Sequence, residues 1–124
     1  VFGKINTHRL YTSDVLITDE VDTTDNQDGC FRFSAAPEKS RLPHPFESFL
    51  FAEKGSWFTS EQFGHPGYGQ LSEHAPEELV RGAENSAEMG VFNELLNPIK
   101  LDSLLTKIEE YMPFGLTPMI IFET

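Results

Sequence analysis

From Val1 to about Ser34 the chain is rich in Thr, Val, Ile and Phe. Apolar positions recur in short steps, at Ile5, Leu10, Val15 with Ile17, and Val21, with Asn, Asp, Ser and Thr between them. β-branched residues broken up by small polar ones are the signature of strands interrupted by tight corners. The steps are shorter than ordinary hairpins need. They fit the sides of a parallel β-helix, in which each side contributes an inward side chain or two before the chain turns; an antiparallel meander is the alternative. A short β-helical stub cannot bury its open end, so the first reading implies further coils before Val1 or a covering element.

The segment 23–34, TTDNQDGCFRFS, places a turn at Asp25-Asn26-Gln27-Asp28-Gly29. A strand then follows with Phe31 and Phe33 on one face and Cys30, Arg32 and Ser34 on the other. Arg32 beside a core calls for a nearby carboxylate, because an unpaired buried guanidinium is costly. Residues 35–45, AAPEKSRLPHP, carry three prolines without a clean period and read as a surface loop. Residues 46–58, FESFLFAEKGSWF, are aromatic and fit either a strand or a short helix, with Phe46, Phe49, Leu50 and Phe51 as core or a partner-facing patch.

The period then changes. Residues 58–79, FTSEQFGHPGYGQLSEHAPEEL, form a glycine loop running into a helix that starts near Pro76, with Glu77 and Glu78 at its positive end and Leu79, Val80 and Ala83 as its stripe. Gly82 should keep it short. A second helix is expected over about 87–96, with Ser86 as N-cap and Asn97-Pro98 as its stop. Leu101, Leu104, Leu105, Ile108 and Tyr111 define a third, ended by Pro113. The tail 117–124, TPMIIFET, reads as a closing strand. The fold class expected is α+β, a short right-handed parallel β-helix-like stub over about 1–34 capped by three short helices and a closing strand. Residues 1–124 are read as one domain, divided into a β-coil part (1–34), a loop and aromatic segment (35–57) and a glycine loop with helical cap (58–124).

Charge narrows the partners. Nine basic against twenty acidic residues give a formal net charge of -11, which repels a phosphate backbone or an anionic membrane over most of the surface. The partners expected are therefore another protein, or a second copy through the amino-terminal strands. Cys30 has no second cysteine to pair with, which fits a reducing, cytoplasmic compartment. No apolar run approaches a membrane span and no signal-peptide pattern is present.

Chemistry has few footholds. The histidines at 8, 44, 65 and 74 lack metal-ligand spacing, and no metal or cofactor is implied. The Asp-rich turn fails as an EF-hand, since aligning Gly29 with its sixth position puts Thr24 and Ala35 where carboxylates belong. Cys30 lies in an aromatic strand with nothing to lower its pKa, the setting of an inert thiol. The glycine loop is the one candidate site. Pro66-Gly67 suits a type II turn, Gly64 and Gly69 permit close backbone approach, and His65 and Tyr68 are presented from a fixed loop. Glu84 and Glu88 would share a face if the helix ran on through Asn85 and Ser86. His65 as base or ligand, with Tyr68 and these carboxylates, could move a proton or hold a metal. The plainer account is a loop tied down by its own polar groups, with His65 on a backbone carbonyl and Tyr68 wedged against the helices.

The phrases GCFRFS, FTSEQFGHPGYGQLS, RGAENSAEMGVFN and LNPIKLDSLLTKIEEYMPFGL together resemble the carboxy-terminal part of a group of large bacterial proteins of uncharacterised role. In those proteins, stretches resembling residues 1–34 look like coils of a β-helix followed by a terminal region. The resemblance implies a β-helical stub with a carboxy-terminal cap and a chain divided at its amino end. It also implies a loose association with contractile-injection or phage-tail-like systems, and it carries no catalytic residue. The leading expectation is a non-enzymatic structural or protein-interaction module. The alternatives are a small hydrolase or metal-dependent enzyme built on His65, Tyr68, Glu84 and Glu88, and a ligand-binding module using the aromatic segment Phe46–Phe58 with Trp57.

Overall fold

The computed structural model describes residues 1–121. Its fold is a mixed α+β arrangement of short parallel strands in three small sheets with two helices. The strands are β1 (Ile5–Thr7), β2 (Leu10–Ser13), β3 (Val21–Thr23), β4 (Gly29–Arg32), β5 (Ala35–Pro37), β6 (Pro45–Phe46) and β7 (Phe49–Phe51). β1 pairs with β3, β2 with β4 and β4 with β6, and β5 with β7. Every one of these pairs is parallel. Parallel bridges Asp22↔Arg41 and Leu16↔Ala35 lengthen the first and third sheets by one position each. This excludes the antiparallel meander for residues 1–34, because antiparallel neighbours would pair across hairpins and none of the named strands does.

Neighbouring strands in sequence fall in different sheets, and the chain returns parallel to itself at each sheet, as in Ile5↔Val21, Leu10↔Gly29 and Phe31↔Pro45. Each passage from the second sheet to the third turns on a single left-handed residue: Asp14 (φ 59°), Phe33 (φ 46°) and Glu47 (φ 45°). These precede Val15, Ser34 and Ser48 in turn. The corner is stitched by serines, with Val15 N–H donating to Ser34 Oγ at 3.1 Å and Ser34 N–H to Ser48 Oγ at 3.4 Å. The corner at Phe33 overturns the expected alternation. Phe31 is fully buried, but the chain turns at Phe33 and it is Ser34 that is buried next. Arg32 is exposed and needs no buried carboxylate.

Two hydrophobic clusters lie on either side of the third sheet. Ile17, Val21, Phe31 and Ala36 pack between the sheets, with Ile5, Leu10, Val15 and Leu42 at their margin. Leu16, Ala35, Phe51, Trp57, Leu79, Ala83 and Met89 form the other cluster. Adjacent residues of β5 thus face opposite ways, Ala35 toward the helical half and Ala36 toward the strands. Helix α1 (Glu77–Val80) therefore lies against the outer face of the third sheet, through Leu79, and does not plug an end of the strand stack.

Residues 35–45, expected as loop, supply β5 and the start of β6. The aromatic segment resolves as strand β7, with Phe51 buried but Phe46 and Leu50 exposed. The expected second helix over 87–96 is absent: Ser86 is left-handed (φ 59°) and Gly90 lies at φ 115°, neither compatible with a right-handed helix, and one 3-10 turn, Asn93–Leu95, remains. Asn97-Pro98 opens the last helix instead of stopping the previous one. That helix, α2 (Asn97–Tyr111), begins four residues earlier than its leucine stripe announces, with Pro98 in its first turn where a missing N–H costs nothing. Residues 117–121 form no strand, and the rest of the expected closing strand lies outside the described residues.

Candidate functional site

The glycine loop is closed by its own hydrogen bonds. Tyr68 N–H donates to His65 O at 3.0 Å, and Gly67 N–H donates to His65 Nδ1 at 3.0 Å. His65 thus accepts from a backbone N–H, not donating to a carbonyl as expected, and in the neutral ring this places its proton on Nε2. The glycines exchange their expected roles. Gly64 (φ 89°) and Gly69 (φ 72°) supply the left-handed backbone, whereas Gly67 is outside that region, so the turn is not type II. A side chain at Gly67 would meet Thr59 Cγ2 at 2.8 Å, so its smallness permits the close approach.

Tyr68 is half-buried. Phe2 and Phe63 lie 5.3 Å and 5.6 Å from it between ring centres, and Phe2 is itself edge-on to Phe58 at 4.8 Å. The loop is thereby clamped to the amino terminus, where Val1 N donates to Leu16 O at 2.6 Å and Thr18 N–H to Val1 O at 3.1 Å. Tyr68 packs against this aromatic group and not against helices.

His65 is exposed. Tyr68, Glu84 and Glu88 line three different clefts. Among the described residues no hydrogen bond joins any two of the four, and no group of three or more His, Cys, Asp or Glu side chains is placed to hold a metal ion. Glu84 and Glu88 do not share a helix face, since α1 ends at Val80 and the chain between them is irregular. Glu84 is exposed and contributes its backbone N–H to Asp14. Glu88 is only 7 % exposed. Burial pushes its carboxyl above the usual range, and the Asn97 side chain, bonding to the charged form, opposes that shift.

The remaining candidates are occupied structurally. Trp57 is buried edge-on to Phe51 at 4.7 Å, so it belongs to the core and not to an open aromatic face; Phe46 is the exposed ring of that segment, set against Phe33. In the Asp-rich turn, Asp25 Oδ1 accepts from the N–H groups of Gln27 and Asp28, and Arg9 pairs with both carboxylates while Tyr11 donates to Asp28. The Gln27 N–H, foremost, holds the Asp25 carboxyl below its usual range. Sequence reading passed over Asp14, the residue that ties the strands to the helical half. Its non-glycine left-handed backbone has no signature in one sequence.

Among the described residues no helix is long and apolar enough to cross a membrane. No family model, curated protein or solved structure matches the chain.

Proposed function

We propose that the chain is a non-enzymatic structural or protein-interaction module: coils of a right-handed parallel β-helix with a helical segment packed on one side, serving as the terminal cap of a β-helical bacterial protein. The observation that carries this reading is a gradient of burial through the parallel ladders. Val21 and Phe31, in the inner strands, are sealed, while Ile5 and Leu10 of the edge strands above them are only half-buried. An edge of this kind presents unpaired backbone groups together with apolar side chains, the usual template for adding another strand. The repeated left-handed corners support the helical winding, and a right-handed crossover is the hand such connections take. Phe114, Leu116, Met119 and Ile121 stand exposed and add apolar surface suited to a partner. The resemblance of the phrases around Gly29, His65 and Asn97 supports the bacterial and terminal part of the reading.

Ile5 N–H bonds to Glu20 O and Thr7 O accepts from Thr24, so the backbone of Asn6 between them faces the open side. Asn6→Pro removes an outward donor without touching the ladder below, and Tyr11→Lys adds an edge charge. Light scattering across a concentration series should show self-association of the parent chain, lost in the double variant with unchanged circular dichroism. A parent that stays strictly monomeric and binds no hydrophobic dye would defeat the reading.

A further inference from the structure

A cleft of about 630 Å³ opens where the first turns of α2 pass α1 and the segment 70–73. Leu71, Val80, Leu101 and Leu104 give it apolar walls, and Glu88 and Asn97 lie side by side among them. This volume is in the range of roughly 300–1,000 Å³ that small-molecule sites occupy, and one or two polar groups set in apolar walls is their usual make-up.

Glu88 is the informative group. It is more than nine-tenths buried, yet among the described residues no lysine or arginine forms an ion pair with it. The nearby Asn97 side chain favours its charged form but brings no charge of its own. Lys100 and Glu73 also line the cleft, both exposed, and Lys100 is not within ion-pair distance of Glu88. A carboxyl at the floor of an apolar cleft is partly screened from water without gaining a counter-charge, which is costly unless something supplies one. A second carboxylate would be repelled, and a hydroxyl would add a hydrogen bond but no charge. A protonated nitrogen supplies both, and the negative surface of the protein draws cations toward it.

We infer that the cleft is a binding site for a small amphiphilic amine, with its apolar body against Leu71, Val80, Leu101 and Leu104 and its ammonium donating to the Glu88 carboxylate. The site is independent of the module reading, since none of its residues belongs to the edge strands. It uses Glu88 as an anchor, with no part for His65 or Tyr68.

The test is an amide NMR titration at neutral pH with three probes of one shape: phenethylamine, 2-phenylethanol and 3-phenylpropionate. The amine should shift the amides of Leu71, Val80 and residues 97–104 saturably, the alcohol should bind about tenfold or more weakly, and the carboxylate should leave them unmoved. Glu88→Gln should cut the amine's affinity by about tenfold or more while leaving the alcohol's unchanged. Leu104→Trp, at a half-exposed position, should block both by filling the cleft with the carboxyl still in place. Equal affinity for amine and alcohol, undiminished amine binding by Glu88→Gln, or shifts confined to residues outside the cleft would each overturn the assignment.

Discussion

Asp14 Oδ1 accepts a hydrogen bond from the backbone N–H of Glu84 at 2.8 Å, across seventy residues of chain. The same residue gives its carbonyl to Gly90 N–H at 2.9 Å and its other carboxylate oxygen to the Ser13 hydroxyl at 2.7 Å. One left-handed corner of the strands therefore anchors both ends of the irregular segment that carries Glu88. Asp14→Ala removes a charge-assisted bond and leaves a left-handed alanine, together costing about 2–4 kcal/mol. Asp14→Asn keeps an acceptor and tolerates the backbone, so it should cost about 1 kcal/mol or less. Urea unfolding of the two variants checks the order; equal losses would mean that the side-chain oxygen is not what holds the segment.

Glu47 tests the corner from the other side. It is exposed, and it holds φ 45° with no glycine-like freedom. Asparagine visits this region more readily, so Glu47→Asn should stabilise by about 0.5–1 kcal/mol. A fall in melting temperature instead would argue that the carboxylate has a role that the strain conceals.

Thr23, fully buried in β3, has a hydroxyl with no hydrogen-bond partner among the described residues. Its N–H already donates to Arg41 O at 3.1 Å in the ladder, while the side-chain oxygen is orphaned. Thr23→Val keeps the branched shape, removes the unsatisfied group, and should raise stability by about 1 kcal/mol. The comparison is Phe31→Ala at the centre of the same layer, where a fully buried ring is lost and about 3–5 kcal/mol should go with it. Denaturant midpoints for the pair measure how closely the inner strands are packed.

These corners explain what was and was not readable from the chain. The change from strand chemistry to helical period was legible, and so was α2, because five apolar positions repeat at helical spacing over two turns and more. Val21 and Phe31 were legible as strand residues for the same local reason. The prolines at 37 and 45 misled: they read as loop, yet Pro37 and Pro45 sit in parallel pairs with Phe51 and Phe31. Such places exist where a ladder needs no N–H from that residue. Asp14, Phe33, Glu47 and Ser86 were illegible, since nothing in Asp, Phe, Glu or Ser announces a left-handed backbone that tertiary packing imposes. Glu88 was picked out for its spacing from Glu84, and that spacing is irrelevant without a helix. What distinguishes Glu88 is burial beneath the start of α2, a relation between segments that no local pattern encodes.

The docking of α2 on α1 should respond to acid and salt. Arg81 clasps Asp102 with two bonds of 2.9 Å, and Glu77 lies 3.8 Å from the same guanidinium. Arg81 holds the Asp102 carboxyl below its ordinary value of 3.8, so the folded state binds that proton less tightly than the unfolded chain does. Its contribution is present above that ordinary value and is lost as pH falls through the lower folded one. Asp102 is exposed and Arg81 half-exposed, so salt should weaken the clasp. Arg81→Lys gives up the paired geometry. The amides of residues 98–105 should then exchange faster, while those of β4 stay unchanged.

Glu88 has the opposite sign. Burial raises its carboxyl above the ordinary value of 4.5, so the folded protein holds that proton more tightly than the unfolded chain. Its contribution is fully present below the ordinary value and disappears as pH rises through the folded one; at neutral pH the charged form works against folding. Glu88→Gln is uncharged at every pH and escapes this term. Its melting temperature should exceed that of the parent at neutral pH, and the gap should narrow as pH falls through the raised folded value and be closed by about 4.5. Adding phenethylamine should narrow the neutral-pH gap from the parent's side, because the amine binds the chain that carries the carboxylate more tightly and so stabilises it more. Should the glutamine variant melt below the parent at neutral pH, the carboxylate already has a favourable partner in the free protein, and both the raised proton affinity and the vacant counter-charge fall together.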